Sequence, residues 1–145
     1  MGIVVSVYHD EVTGALSQGA IDALGRAGAT PDQIAVIQVP GAFEVPFAAR
    51  QAAETGRFDA LVCLGCIIRG ETPHFDYLAS AVAQGISTAS QATGVPMSFG
   101  VLTTNTYDEA LERAGRGSDN KGWEAAMAAI QLANVVRDLI RDNGD

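Results

Sequence analysis

Basic residues are scarce in this chain. Lysine occurs once, at Lys121, and nine basic residues against seventeen acidic ones give a formal net charge of −8 over 145 residues. A nucleic acid or an anionic membrane surface needs a broad basic face, so neither is an expected partner. A small anion is still compatible, because Arg113, Arg116 and Lys121 fall close together in the sequence. Long apolar runs are also missing, and no stretch approaches the length that spans a bilayer. A charged segment leading into an apolar one is absent as well, so no export signal is predicted and a cytoplasmic location is expected. Cysteine is limited to Cys63 and Cys66. Two cysteines cannot make a disulfide framework, and no second ligand pair at zinc spacing accompanies them. A redox C-x-x-C normally opens a helix, whereas here the apolar run continues into Ile67 and Ile68. Two reduced, buried thiols on a strand are the expectation, with no metal site.

What is present is alternation. Strands are predicted at Gly2–Tyr8, Ile34–Val39, Asp59–Ile68 and Met97–Thr104, from short β-branched apolar runs. Helices are predicted at Asp10–Ala27, Val45–Thr55, a segment entered through Thr72-Pro73 and closed by Gly94, Tyr107–Ala114, and Gly122 to about Arg141. The last helix is expected to turn Ala125, Ala128, Leu132, Val136 and Leu139 inward. Its apolar residues occupy more than one face, which suggests cover from a neighbouring subunit. Regular strand–helix alternation with short connections implies one domain, residues 1–145. Its fold class is α/β, a three-layer αβα sandwich: a flavodoxin-like four-stranded parallel sheet with helices on both faces. Ligands of such folds bind beyond the carboxyl ends of the strands.

Those ends carry the candidate chemistry. After the third strand comes "RGETPHFD", a helix start whose N–H groups suit an anion. The positive helix end disfavours imidazolium, so His74 can accept a proton, or can simply tolerate the position. After the second strand comes "PGAFEVP". The backbone of Ala42 and Phe43 can face a ligand and Glu44 can accept from hydroxyls; an ordinary turn is the simpler reading. Arg113 ends a helix, where a cation is favourable anyway, although its planar fork also clamps oxyanions. Lys121 precedes a long helix, the wrong end for a cation, so it has another use or is merely solvated. Tyr8 and Phe99 are core aromatics or, at strand ends, surfaces for stacking a flat ring.

Taken in order, "VPGAFEVPFAAR", "CLGCIIRGETPHFDYLASAVAQGI", "VPMSFGVLTTNTYDEALERAG" and "NKGWEAAMAAIQLANVVRDL" resemble the lumazine synthase family of riboflavin biosynthesis. The combination is specific and covers nearly the whole chain; each motif alone is weak. The resemblance implies a cofactor-free condensation of 5-amino-6-(ribitylamino)uracil with 3,4-dihydroxy-2-butanone 4-phosphate, giving 6,7-dimethyl-8-ribityllumazine, phosphate and water. By residue, it implies His74 as general acid/base, with Glu71, Thr72 and Arg113 on the phosphate. Ala42, Phe43, Glu44, Cys66, Ile67 and Ile68 would line the pyrimidine and ribityl pocket. Tyr8 would stack on the ring, and Phe99 and Lys121 would complete the site.

The resemblance further implies a pentamer whose sites straddle two subunits, Phe99, Arg113 and Lys121 coming from the neighbour. An icosahedral shell of pentamers and an association with riboflavin synthase are further expectations. The chain departs from the pattern in four places. His9 stands where Asn is usual and Cys66 where Thr is frequent; Arg116-Gly117 replaces a pair ending in Lys, and Trp123 is bulkier than the common residue. An additional N-terminal strand, found in many members, is not expected here. Competing readings are a lumazine-dismutating riboflavin synthase, a Schiff-base enzyme using Lys121, and a flavin-binding shell protein without activity.

Overall fold

The computed structural model describes residues 1–115 and 117–144, without the side chains of Ser118, Asn143 and Gly144. Arg116 therefore lies outside the described residues. Four strands form one parallel sheet: β1 (Gly2–Ser6), β2 (Ala35–Val39), β3 (Leu61–Ile68) and β4 (Met97–Thr104), in the order β2-β1-β3-β4. β3 is central and buried along almost its entire length, as expected of a strand covered on both faces. The helices are α1 (Asp10–Arg26), α2 (Val45–Glu54), α3 (His74–Thr93), α4 (Tyr107–Arg113) and α5 (Lys121–Gly144).

Side-chain alternation along the strands separates two apolar cores. Ile3, Val5, Val62 and Leu64 point to one face, under α1, α4 and α5. Val4, Leu61, Cys63 and Val101 point to the other, under α2 and α3. The architecture is thus the expected three-layer flavodoxin-like sandwich. From β1 the chain crosses outward to β2 and then back past β1 to β3. The switch point lies between the ends of β1 and β3, where adjacent connections leave toward opposite sides and open a crevice.

Two sequence expectations need correction. α5 begins one residue earlier than expected, and its inward stripe is Gly122, Ala125, Ala126 and Ala129, whereas Leu132 and Leu139 are exposed. The cause is close approach. A Cβ on Gly122 would run into the Leu16 carbonyl of α1, so the smallest residues must face inward and the larger ones rotate out. The α3 entry also differs. Pro73 sits in the cap position at φ −70°, ψ 3°, and His74, not Pro73, is the first helical residue. The non-extended cap leaves the Thr72 hydroxyl accepting only from His74 N, at a long 3.4 Å.

Candidate active site

The crevice at the switch point holds a cavity of about 810 Å³. The sheet ladder continues past the strands and shapes its rim. Val7 N donates to Val39 O at 2.9 Å and Tyr8 N to Pro40 O at 3.1 Å, tying the β1 exit to the Pro40-Gly41 turn. A 3₁₀ turn over Ala42–Glu44 follows, with Glu44 N bonded to Gly41 O. On the other side, Arg69 N donates to Thr104 O at 2.9 Å, so β3 and β4 leave the sheet together.

Arg69 then fixes the loop that carries "GETPH". Its guanidinium lies 4.6 Å from the Phe75 ring centroid, donates to Asn105 Oδ1 at 2.9 Å and reaches Asp76 at 3.5 Å. Such a stacked, partly exposed cation contributes about 0.5–1 kcal/mol, enough to bias a loop.

The cavity gathers most of the expected residues: Tyr8 from the β1 exit, Ala42 and Phe43 from the turn, Cys66, Ile67 and Ile68 from β3, and Thr72 and His74 from the α3 entry. Tyr8 is 68 % exposed and Phe43 64 %, and neither packs in the core. Large aromatics left open at a concave site are free to stack on a ligand. Glu44 and Glu71 are not on the wall. Glu44 folds back toward Gly41, where an added Cβ would stand 3.1 Å from Oε1, and Glu71 is exposed between two wall residues.

Cys66 is buried at the cavity floor and Cys63 lies in the core beneath α2 and α3; both are unpaired. Burial pushes the Cys63 thiol up to about 12 and the Cys66 thiol up to about 11, so both are protonated near neutral pH and neither is a nucleophile.

Besides Gly41, Gly70 and Phe75, the wall residues missed by sequence reading include Tyr77, Leu78 and Ala81. The last three follow His74 by three, four and seven residues, the helical face that His74 itself occupies, so the signal was available once α3 was placed. His9, previously without a role, also lines the wall. It is the one described non-glycine residue with positive φ (62°, ψ 52°). Its carbonyl accepts from Val12 N and Thr13 N to start α1. Asn tolerates this left-handed conformation well, which explains the family's usual residue there. The His9 ring lies 4.5 Å from Tyr8 and 6.1 Å from Tyr107. The Tyr107 hydroxyl donates to Glu11 at 2.8 Å, and that bond raises its pKa.

Phe99, Arg113 and Lys121 are elsewhere. They share a separate groove of about 340 Å³ along the free edge of β4, between the end of α4 and the start of α5. Arg113 donates to Glu109 O at 3.3 Å, and Lys121 pairs with Glu124 at 2.9 Å on the exposed surface. Among the described residues, no arginine or lysine is on the wall of the main cavity. Among the described residues, no cluster of three or more potential ligands could hold a metal, and no helix is long and apolar enough to cross a membrane.

The family model described as 6,7-dimethyl-8-ribityllumazine synthase matches residues 1–137. The chain belongs to the 6,7-dimethyl-8-ribityllumazine synthase family. It is similar to the protein of that name from Syntrophus aciditrophicus (strain SB), 51 % identical over 138 residues, which is 95 % of this chain and 90 % of that protein. It is also similar to the one from Desulfatibacillum aliphaticivorans, 48 % identical over 135 residues, 93 % of this chain and 87 % of that protein. A lumazine synthase family member thus gathers Tyr8, Phe43 and His74 in one cavity and Phe99, Arg113 and Lys121 in a separate groove.

Proposed function

We propose that the chain, as one unit over residues 1–145, is the lumazine synthase of riboflavin biosynthesis, a cytoplasmic enzyme acting on two small molecules. It condenses 5-amino-6-(ribitylamino)uracil with 3,4-dihydroxy-2-butanone 4-phosphate and releases 6,7-dimethyl-8-ribityllumazine, phosphate and water. Tyr8 stacks on the pyrimidine. The backbone of Ala42, Phe43, Ile67 and Ile68 reads its polar edge beside the Cys66 thiol, and Glu44 swings from Gly41 onto ribityl hydroxyls. His74 moves protons during imine formation, phosphate elimination and ring closure. No external electron carrier is needed, because the steps are condensation, elimination and dehydration.

The observation that supports a shared site is the separation of charge. Among the described residues, a phosphate dianion in the main cavity meets the Glu71-Thr72 segment and the start of α3 but no cationic side chain. The cations, with Phe99, line the open edge of β4. A neighbouring copy that lays this edge against the cavity supplies Arg113 to the phosphate, Phe99 to the ring and Lys121 to the pocket. The assembly is a pentamer, either free or joined with others into a closed shell, and riboflavin synthase is the candidate companion.

Two measurements test this reading. Mixing the assembled protein with both substrates should yield lumazine absorbance and free phosphate; turnover no faster than the spontaneous condensation sinks the activity. Co-refolding His74→Ala with Arg113→Ala protein should restore activity at roughly a quarter of the sites, those formed by one intact half from each. A mixture that shows no gain over the two variants alone, assayed at a phosphate-substrate level far below the raised KM of Arg113→Ala, would place the whole site within one subunit.

A further inference from the structure

We infer that Asn120 is a positioning residue that sets Arg113, the phosphate-binding arginine, and its neighbour Lys121 relative to one another in the β4-edge groove. It rests on the assignment of Arg113 to the phosphate, and it extends that assignment to a residue that touches no substrate.

Asn120 is 3 % exposed, one of the few buried polar residues of the chain. Its side chain makes five hydrogen-bond contacts, with the two Nδ2 hydrogens shared among three carbonyls. Nδ2 donates to Ala15 O of α1 at 3.1 Å, to Ala114 O at 3.2 Å and to Gly115 O at 2.8 Å. Oδ1 accepts from Gly122 N at 2.7 Å and Trp123 N at 3.1 Å. The oxygen therefore caps α5, and the amide nitrogen clamps the residues that directly follow Arg113 onto α1. The two cations flank this knot. Arg113 precedes Ala114 at the end of α4, and Lys121 is the first residue of α5.

The surroundings are built to the size of this side chain. A Cβ on Gly19 of α1 would collide with the Asn120 amide, and a Cβ on Gly122 would approach its oxygen to 2.9 Å. An amide is required because no other uncharged side chain of this length both donates to carbonyls and accepts from a helix start. The side chains of Arg113 and Lys121 bond only on their own helices, to Glu109 O and Glu124. Their mutual placement thus comes from the backbone, and the side-chain bonds that tie the end of α4 to the start of α5 at that point come from the Asn120 amide.

Asn120→Asp separates the two halves of this role. The carboxylate still accepts from Gly122 N and Trp123 N, and it suits a helix start. It cannot donate to the three carbonyls and repels them. The expected result in the assembled enzyme is a roughly tenfold rise in KM for the phosphate-bearing substrate and an equal weakening of inhibition by inorganic phosphate. Both kcat and the KM of the pyrimidine substrate should stay within about twofold, since the main cavity is not touched. Trp123, the single tryptophan, should keep its emission maximum and so report that the cap is intact.

Asn120→Ser, which also caps but cannot clamp, is the second variant should the aspartate prevent assembly; the same direction is expected. In an Arg113→Ala background either substitution should add less than about twofold. Unchanged KM and phosphate inhibition in the assembled variants would overturn the inference. So would a penalty that persists at full size without Arg113, because that is the mark of a merely structural residue. If Arg113→Ala by itself leaves the KM of the phosphate substrate unchanged, the phosphate assignment fails first, and this single-variant result is what distinguishes that failure.

Discussion

The cavity between β1 and β3 and the groove along β4 differ in almost every physical respect. The first is large and walled by apolar and aromatic side chains, with neutral backbone loops and two histidines, His9 and His74, at helix starts. The second is less than half the volume and holds an arginine and a lysine beside the unpaired edge of a strand. One is suited to a flat heterocycle and to proton transfer, the other to an anion. The difference teaches that the proposed function distributes binding and chemistry over two surfaces of one chain, so each surface can be damaged separately and read by a different kinetic constant.

The largest effect should come from the cavity. His74→Ala is expected to lower kcat by about 10²- to 10⁴-fold with little change in either KM, measured as lumazine formation under saturating substrates. A matching collapse of substrate affinity would mean that His74 binds and does not shuttle protons. Next comes the groove. Arg113→Ala should raise the KM for the phosphate substrate by about 10- to 100-fold, the worth of one charge-assisted hydrogen bond. An unchanged KM would dissolve the division between the two regions.

Lys121→Gln should cost less, roughly threefold in kcat/KM, because its ammonium is exposed and already paired with Glu124. A loss as large as that of Arg113→Ala would make it a second principal clamp. The smallest effect concerns the floor of the cavity. Folding raises the thiol pKa values of Cys63 and Cys66 from about 9 to about 12 and about 11. The folded state therefore holds protons that the unfolded state releases, and stability should be flat below pH 9 and fall as pH rises from there toward 12. Urea titrations from pH 7.5 to 10.5, together with slow alkylation of the native protein at pH 8, check this. Rapid labelling of Cys66 at that pH would contradict a sealed floor.

Much of this division was legible in the residues. β-branched runs and helix breakers located every strand and helix because each is short and buried on a defined face. Tyr8, Ala42, Phe43, Thr72 and His74 were found because ligands of parallel sheets bind beyond the strand ends, whereas Cys66, Ile67 and Ile68 came from the family resemblance. The groove was harder. Nothing in the spacing of Phe99, Arg113 and Lys121 says that they leave the strand-end cluster; that depends on β4 being an edge, which only the assembled sheet reveals. The α5 stripe was misread because a periodicity of large apolar residues normally marks the core, whereas the Gly122–Leu16 approach admits only small ones. The Thr72-Pro73 entry was displaced by one residue because the proline took a cap geometry with ψ near zero. Asn120 passed as part of a family signature, since a buried amide has no periodicity to betray it.

The left-handed backbone at His9 has a consequence for anyone wishing to vary this wall. A saturation library at position 9 would be sieved twice. The first sieve is conformational: at φ 62° a β-branched or bulky side chain costs about 1–3 kcal/mol before meeting any ligand, and only Gly, Asn and Asp enter freely. The second is chemical, set by the neighbouring Tyr8 ring. Variants lost to the first sieve would look like lost recognition while reporting only on the peptide geometry that launches α1, so the informative alphabet at this position is a handful of letters.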